Sequence, residues 1–368
     1  MTTNAATTPA WRVTATPVVA LGLLAVVWGR TLPGPLVAVV AVVLIGAVLV
    51  AVHHAEVVAH RVGEPFGSLI LAIAVTVIEV GLILSMMASG DPEAATLARD
   101  TVFAAVMITC NGIVGICLLS GALRHHVVLF NAEGSSGALA TVAALATLCL
   151  VLPSVTTSTP GGTFSGAQLG FAAVVSLALW GVYVFVQTVR HRDYFLPVPP
   201  EDGESPESCE EHLPPPSSRT ALASLVLLVV SLVAVVGLAK TVSPAIKAGV
   251  NAINAPLTVV GVAIAMVVLL PETLAAVRAA RRDRLQTSFN LALGSALASI
   301  GLTIPAIAVA TIFLPGPLVL GLSPIEMILL ALSMLVGTLT VVAGRATVLQ
   351  GAVHLLIFAS FVFTAVAP

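Results

Sequence analysis

Most of this 368-residue chain is built from long apolar runs separated by short polar punctuation. An apolar run of about 20 residues crosses a hydrocarbon core when helical. Eleven windows approach that length, near 13–29, 34–58, 66–88, 98–121, 136–153, 166–188, 220–240, 251–277, 286–313, 323–343 and 347–366. The pattern predicts an all-α membrane protein of about 11 transmembrane helices. Only Arg12 precedes the first window as a positive charge, and no small-x-small cleavage site follows, so that window reads as a retained helix rather than a signal peptide.

Against this background, a charge inside a window is the informative position. The third window runs Gly63-Glu-Pro-Phe-Gly-Ser-Leu-Ile-Leu-Ala-Ile-Ala-Val-Thr-Val-Ile-Glu79-Val-Gly-Leu-Ile-Leu, with Glu79 about halfway along the apolar stretch. A carboxylate at membrane depth costs about 2.5–3.5 kcal/mol even on lenient insertion scales, so it needs a partner, a proton or a job. The eighth window repeats the arrangement as Gly261-Val-Ala-Ile-Ala-Met-Val-Val-Leu-Leu-Pro-Glu272-Thr. Glu79 lies twelve residues after Gly67, and Glu272 eleven after Gly261.

The longest connection, 190–219, holds Asp193, Glu201, Asp202, Glu204, Glu207, Glu210 and Glu211 among several prolines, the composition of an acidic linker rather than a domain. It divides the chain into an N-terminal segment and first helix (1–30), a first five-helix repeat (31–189), the linker (190–219) and a second five-helix repeat (220–368). An odd number of spans per half makes the second half enter the membrane from the opposite side, the inverted-repeat plan of many secondary transporters. The spans after the two acids support the division. Thr101-Val-Phe103 and Thr287-Ser-Phe289 are each followed by eleven residues and a glycine, Gly115 or Gly301.

Composition narrows the class further. Hydrophobic residues make up 58% and charged residues 9%, too few charges to cover a soluble surface of this size. A net charge of −2 gives no bulk basicity, so nucleic acid is not expected as a partner. The 15 basic residues are distributed unevenly over the connections: Arg30, Arg99, Lys240 and Lys247 fall on one side of the predicted membrane and the other eleven on the opposite side. That bias predicts a cytoplasmic N-terminus, an external C-terminus and a cytoplasmic linker. Cys110, Cys117 and Cys149 lie in apolar windows and Cys209 in the linker, with neither a CxxC pair nor a disulfide framework.

Two ionised glutamates carry −2 between them, which one divalent ion or two protons can balance. A hard cation such as Ca²⁺ takes 6–8 oxygens from carboxylates, amides, carbonyls and water. Thr76 lies one turn before Glu79, and Asn111, Asn290, Ser295, Ser299 and Thr303 in the spans after each acid are candidate neutral oxygens, with Thr109 beside them. Pro271 removes an amide hydrogen and crowds the Val267 carbonyl, which frees backbone oxygen where a helix lines a cavity. Burial favours the protonated acid and a bound cation the ionised one, so proton and metal compete for the same oxygens. Competition at one site with alternating access is sufficient for antiport. No nucleotide-binding motif is present, which argues against a primary pump. A cation channel using the same acids as a selectivity ring is the rival from a different class.

Other polar groups have simpler expectations. His53, Glu56 and His60 share a face of the second span at metal-ligand spacing, but at a helix end where histidines are often merely interfacial. Glu64 before Pro65, and Glu326 after Ser323-Pro324, read as helix starts. His354 in the last span reads as a satisfied helix–helix hydrogen bond, with a proton partner as its other reading. The Gly294 to Gly301 spacing, with Ala296 and Ala298, reads as close helix packing.

Several separate motifs together resemble a known family. They are the stretch 63–79 quoted above, Asn-Ala-Pro (254–256), Leu-Leu-Pro-Glu (269–272), Asn-Leu-Ala-Leu-Gly-Ser-Ala-Leu-Ala-Ser-Ile-Gly-Leu-Thr-Ile-Pro (290–305) and Gly-Arg-Ala-Thr-Val-Leu-Gln-Gly-Ala-Val-His-Leu (344–355). They resemble bacterial calcium/proton antiporters of the ChaA type, within the cation/calcium exchanger superfamily. The resemblance runs from about 50 to the C-terminus. It implies an N-terminal helix plus two inverted five-helix repeats, with Glu79 and Glu272 facing a midplane cation site. It also implies a multi-pass inner-membrane protein that exchanges cytoplasmic Ca²⁺ for protons, with Na⁺ or K⁺ as the alternative cation. The partners implied are small cations, protons and the lipid bilayer, with no resident cofactor; the sequence is compatible with a homo-oligomer. Better-known exchangers of the superfamily carry Gly-Asn-Ala-x-Glu before each acid. This chain has Val75-Thr-Val-Ile-Glu79 and Val268-Leu-Leu-Pro-Glu272 instead, with neither asparagine.

Overall fold

The computed structural model describes residues 10–30, 32–63, 66–87, 95–197, 216–252, 256, 258–314, 316 and 318–367. Glu64, Pro65, Asn254, Cys209 and all the linker acids except Asp193 lie outside the described residues. In every predicted window the described residues fall mainly on helix. Among the described residues, eight helical segments are long and apolar enough to cross a membrane, and a ninth passes as a pair bent by 53°. The first and third windows hold the apolar helices Ala10–Val27 and Phe66–Met87, whose described parts, Val13–Val27 and Ile73–Met87, are shorter than a full span.

Local chemistry sets several helix starts. Ser165 with Gln168, Ser323 with Glu326 and Thr347 with Gln350 form reciprocal capping boxes, and Asn131 accepts from the amides of Glu133 and Gly134. Glu326 is therefore a cap, as its spacing predicts.

The chain forms two compact units. The first holds α1 (Ala10–Val27), α2 (Gly34–Val62), α3 (Phe66–Met87) as far as Met86, and the long α9 (Ser218–Ala252). Helix α9 runs antiparallel along α2. At one end Arg61 Nη2 donates to Ser218 Oγ at 2.9 Å; at the other the Lys240 ammonium lies 5.6 Å from the centre of the Trp28 ring. Small residues set the spacing: a Cβ at Gly237 would lie 2.5 Å from Leu24 Cδ2, and one at Gly81 would lie 2.5 Å from Val236 Cγ2.

The second unit is built around one almost wholly buried span, α4 (Leu97–Met107), a π-helical turn (Ile108–Ile113) and α5 (Val114–His125). Around it lie α6 (Ala132–Ala146), a π turn and the short α7 (Leu152–Val155), α8 (Gly166–Phe185), the broken pair α10 (Thr258–Val268) and α11 (Leu270–Ala280), α12 (Leu285–Gly301), α13 (Thr303–Ala310), α14 (Pro324–Val342) and α15 (Val348–Val366). A two-residue antiparallel ribbon, β1 (Val128–Leu129) with β2 (Arg345–Ala346), ties the connection after α5 to the one before α15. Helix α15 shows how these spans are sided. Leu349, Leu356 and Phe363 face outward, while Gly351, His354, Ile357, Phe361 and Ala365 face the core. A helix that is apolar on its outer face as well belongs in lipid.

Candidate functional site

Glu79 lies on the buried stripe of α3 with Val75, Leu82, Ile83 and Met86, and is 2% exposed. Thr76, one turn earlier, is buried beside it on the helix surface. Val77 and Ile73 face outward, so the carboxylate is on the inner side of an apolar helix.

Glu272 sits at a break. Helix α10 ends at Val268, Leu269 leaves helical geometry (φ −86°, ψ 1°), and α11 starts at Leu270 with Pro271 in its first turn. The two axes diverge by 53°. Pro271 has no N–H to give to the Val267 carbonyl, which is why the helix divides here. Glu272 follows in the first turn of α11, where the partial positive charge of the helix start favours an acid, and is 6% exposed. The Leu269 carbonyl accepts from Thr273 Oγ1 at 2.7 Å.

The neutral candidates divide into two groups. Ser299 and Thr303 are buried and Ser295 half-buried along α12 and the start of α13, and the Thr303 hydroxyl has no hydrogen-bond partner among the described residues. The two asparagines are engaged elsewhere. Asn290 Nδ2 donates to the Phe195 carbonyl at 2.6 Å, and its Oδ1 accepts from Gln286 Nε2 at 3.0 Å. Gln286 Oε1 in turn accepts from the Asn131 amide at 2.8 Å. Asn111 Nδ2 donates to Ser333 Oγ at 2.8 Å, and its Oδ1 lies 3.1 Å from His354 Nδ1. Both ends of each amide are thus bonded within the protein, in two separate networks. The amide oxygen of each accepts one hydrogen bond and keeps a second lone pair, so both remain candidate ion-binding oxygens. Thr109 likewise bonds its own helix, through the Ala105 carbonyl at 2.8 Å.

His354 is the helix–helix hydrogen bond that its position predicts: the ring links Asn111 on the π turn to Thr340 on α14. The π turn rotates Asn111 toward α14 and α15, a common use of such insertions. Gly301 also packs as expected, with Trp180 Cβ 2.6 Å from where its own Cβ would stand, whereas Gly294 meets nothing within 4 Å.

His53, Glu56 and His60 are exposed, and no group of three or more His, Cys, Asp or Glu among the described residues is placed to hold a metal ion. The buried member of that stretch is His54, whose Nε2 lies 3.3 Å from the Val13 carbonyl. Cys110, Cys117 and Cys149 are free and buried.

Asp100 is the acid that sequence reasoning passed over. It is 2% exposed, pairs with Arg99 at 2.7 Å, and accepts from Thr96 Oγ1 at 3.1 Å and Thr258 Oγ1 at 3.4 Å. Gly261 lets α10 approach this corner: a Cβ there would stand 3.0 Å from Asp100 Cβ. The adjacent Arg99-Asp100 pair at the lip of a window reads as interfacial; only the fold shows that it joins the start of α4 to the start of α10.

Comparison with known proteins gives one consistent answer. A family model described as sodium/calcium exchanger protein matches residues 18–189 and again 223–367. The y4hA protein of Sinorhizobium fredii, named only as an ionic transporter, is 46% identical over 88% of this chain and 87% of its own length. The sodium-potassium/proton antiporter ChaA of Escherichia coli is 35% identical over 95% of each chain. Among solved structures, the H⁺/Ca²⁺ exchanger CAX superposes with a TM-score of 0.70 at 14% identity, covering 96% of this chain and 87% of that one.

Proposed function

The chain belongs to the sodium/calcium exchanger family, and from that premise we propose that it is a secondary antiporter extruding cytoplasmic Ca²⁺ in exchange for protons, with Glu79 and Glu272 as the carriers. The observation that carries this is the near-complete burial of both carboxylates, at 2% and 6% exposure, in otherwise apolar helices. A buried ionised pair demands compensation that a divalent cation or two protons supply equally in charge. Exchange follows when each species must leave before the other binds and access alternates across the membrane. Thr76, Asn111, Asn290, Ser295, Ser299 and Thr303 are the side-chain oxygens proposed to assist, with carbonyls freed by the break at Pro271.

The match of one family model to both halves of the chain supports a duplicated plan with one acid in each half. The loop charges support an inner-membrane protein with a cytoplasmic N-terminus. In the first unit Arg61 and Ser218 meet at one end and Trp28 and Lys240 at the other, which supports the alternation of sides used in that charge count. A second cation reading, Na⁺ or K⁺ in place of Ca²⁺, is favoured by the name of the relative that is 35% identical.

The test is ⁴⁵Ca²⁺ or ²²Na⁺ uptake into sealed proteoliposomes with a pH dye inside. Antiport predicts proton efflux from a preloaded lumen when the cation is added, and uptake that stops when the pH gradient is collapsed. Current carried without obligatory proton flux would identify a channel and overturn the proposal.

A further inference from the structure

The face of the second unit where α4 and α10 begin is fastened by a frame of loops. The Val319 N–H donates to the Ala95 carbonyl at 3.0 Å, the Gly321 N–H to the Gly162 carbonyl at 2.8 Å and the Leu322 N–H to the Leu150 carbonyl at 2.9 Å. Ser154 Oγ donates to the Leu322 carbonyl at 2.8 Å, and Arg99 Nη1 to the Gly321 carbonyl at 3.2 Å. The connections before α4, after α7 and before α14 are thus tied to one another. The linker begins at the opposite face, where Phe195 meets the Asn290–Gln286–Asn131 network at the start of α6.

Asp100 joins the start of α10 to this frame. It lies buried in the first turn of α4, where the helix start favours an acid. Its Oδ1 accepts from Arg99 Nε at 2.8 Å and lies 2.7 Å from Arg99 Nη2. Its Oδ2 accepts from Thr96 Oγ1 at 3.1 Å, and from Oγ1 of Thr258, the first residue of α10, at 3.4 Å. Among the described residues this last contact is the one side-chain hydrogen bond from α10 to another element. Beside it, a Cβ at Gly261 would stand 3.0 Å from Asp100 Cβ and 3.1 Å from the Thr101 nitrogen, so the helices meet this closely only because no side chain intervenes.

Two features suit this contact to opening and closing. Helix α10 ends at the break at Leu269, so it can tilt about that point and keep its own hydrogen bonds. It is about 16 Å long, and a tilt of roughly 15° at the break carries Thr258 about 4 Å away from Asp100. The carboxylate keeps Arg99 and Thr96 when Thr258 leaves, so neither arrangement buries an unpaired charge. We propose that Asp100, held by Arg99, is a latch on Thr258 that keeps α10 against α4 and this face closed, and that a cation reaches Glu272 from this face only when the latch lets go. The inference rests on the antiport reading above, in whose orientation this face is external.

The experiment measures cation-driven proton flux in membrane vesicles of each orientation for wild type, Thr258→Val, Thr258→Ser and Gly261→Ala, with folded protein quantified alongside. Thr258→Val and Gly261→Ala are expected to lower the half-saturating cation concentration at the face opposite the linker by about two- to tenfold, the worth of one hydrogen bond, and not to lower it at the linker face. Thr258→Ser, which keeps the hydroxyl, is expected to restore the wild-type value. A purely structural contact would reduce the amount of folded protein and move neither concentration. If Thr258→Val does not fold, Gly261→Ala decides. Wild-type half-saturating concentrations in the folded variants, or an equal decrease at both faces, would overturn the latch while leaving antiport intact. Absence of cation-driven proton flux in wild type would instead overturn the antiport reading, and this inference with it.

Discussion

Replacing Pro271 by alanine isolates the bend from the carboxylate that follows it. Alanine restores the N–H that the Val267 carbonyl lacks and removes a helix-interior penalty of about 3 kcal/mol, which favours one continuous helix. Glu272 stands three residues beyond the hinge at Leu269, about 4.5 Å along the axis at 1.5 Å per residue. Straightening a 53° bend over that lever swings the residue by roughly 4 Å. That exceeds a whole Ca²⁺–oxygen distance of about 2.3–2.6 Å, so the carboxylate leaves the ligand position proposed for it. Pro271→Ala should unfold in detergent at the wild-type temperature or above, yet exchange at least roughly tenfold more slowly at subsaturating cation, about 1.4 kcal/mol of lost binding. Pro271→Gly, which restores the N–H without the helix propensity of alanine, should retain more exchange. Proteoliposome flux and thermal unfolding of the same preparations read both quantities. Wild-type exchange by Pro271→Ala would refute the idea that the break positions Glu272.

Glu79→Gln and Glu272→Gln should each abolish exchange while insertion and expression remain normal, because a neutral amide in the same volume has no charge to balance the cation and no carboxyl proton to give up; flux assays on matched amounts of protein check this. Gly351→Ala should cost about 1–3 kcal/mol of stability by overpacking, since its Cβ would stand 2.6 Å from the Leu119 amide nitrogen; an unchanged melting temperature would contradict the close packing of α5 on α15. Asn111→Leu leaves His354 Nδ1 without its amide acceptor, and should cost about 1–3 kcal/mol in chemical denaturation. Ser323→Ala removes a cap, costing about 1 kcal/mol of stability, and should leave exchange per folded molecule at the wild-type rate.

How much of this was legible follows from what apolar patterning encodes. Helix positions were readable because each window needs about 20 apolar residues, and the break at Pro271 because proline lacks a donor. Glu79 and Glu272 stood out because a charge is rare in such windows. The partners of the asparagines were not legible: Asn111 meets Ser333 and His354 across more than 200 residues of sequence. The π turn at Ile108–Ile113, which aims Asn111, leaves no periodic signature among residues that are buried on every face. Asp100 and His54 were hidden for the opposite reason: each sits beside a charged or titratable neighbour at the end of a window, where sequence alone suggests exposure, and both are buried.

The most direct test of the central claim measures cation binding and proton release together in purified protein, adding Ca²⁺ or Na⁺ to a weakly buffered sample of wild type, Glu79→Gln and Glu272→Gln. If the two carboxyls hold metal and hydrogen ions in turn, wild type releases protons as it binds the cation, and each variant loses both signals. Binding and release at wild-type levels in either variant would contradict it.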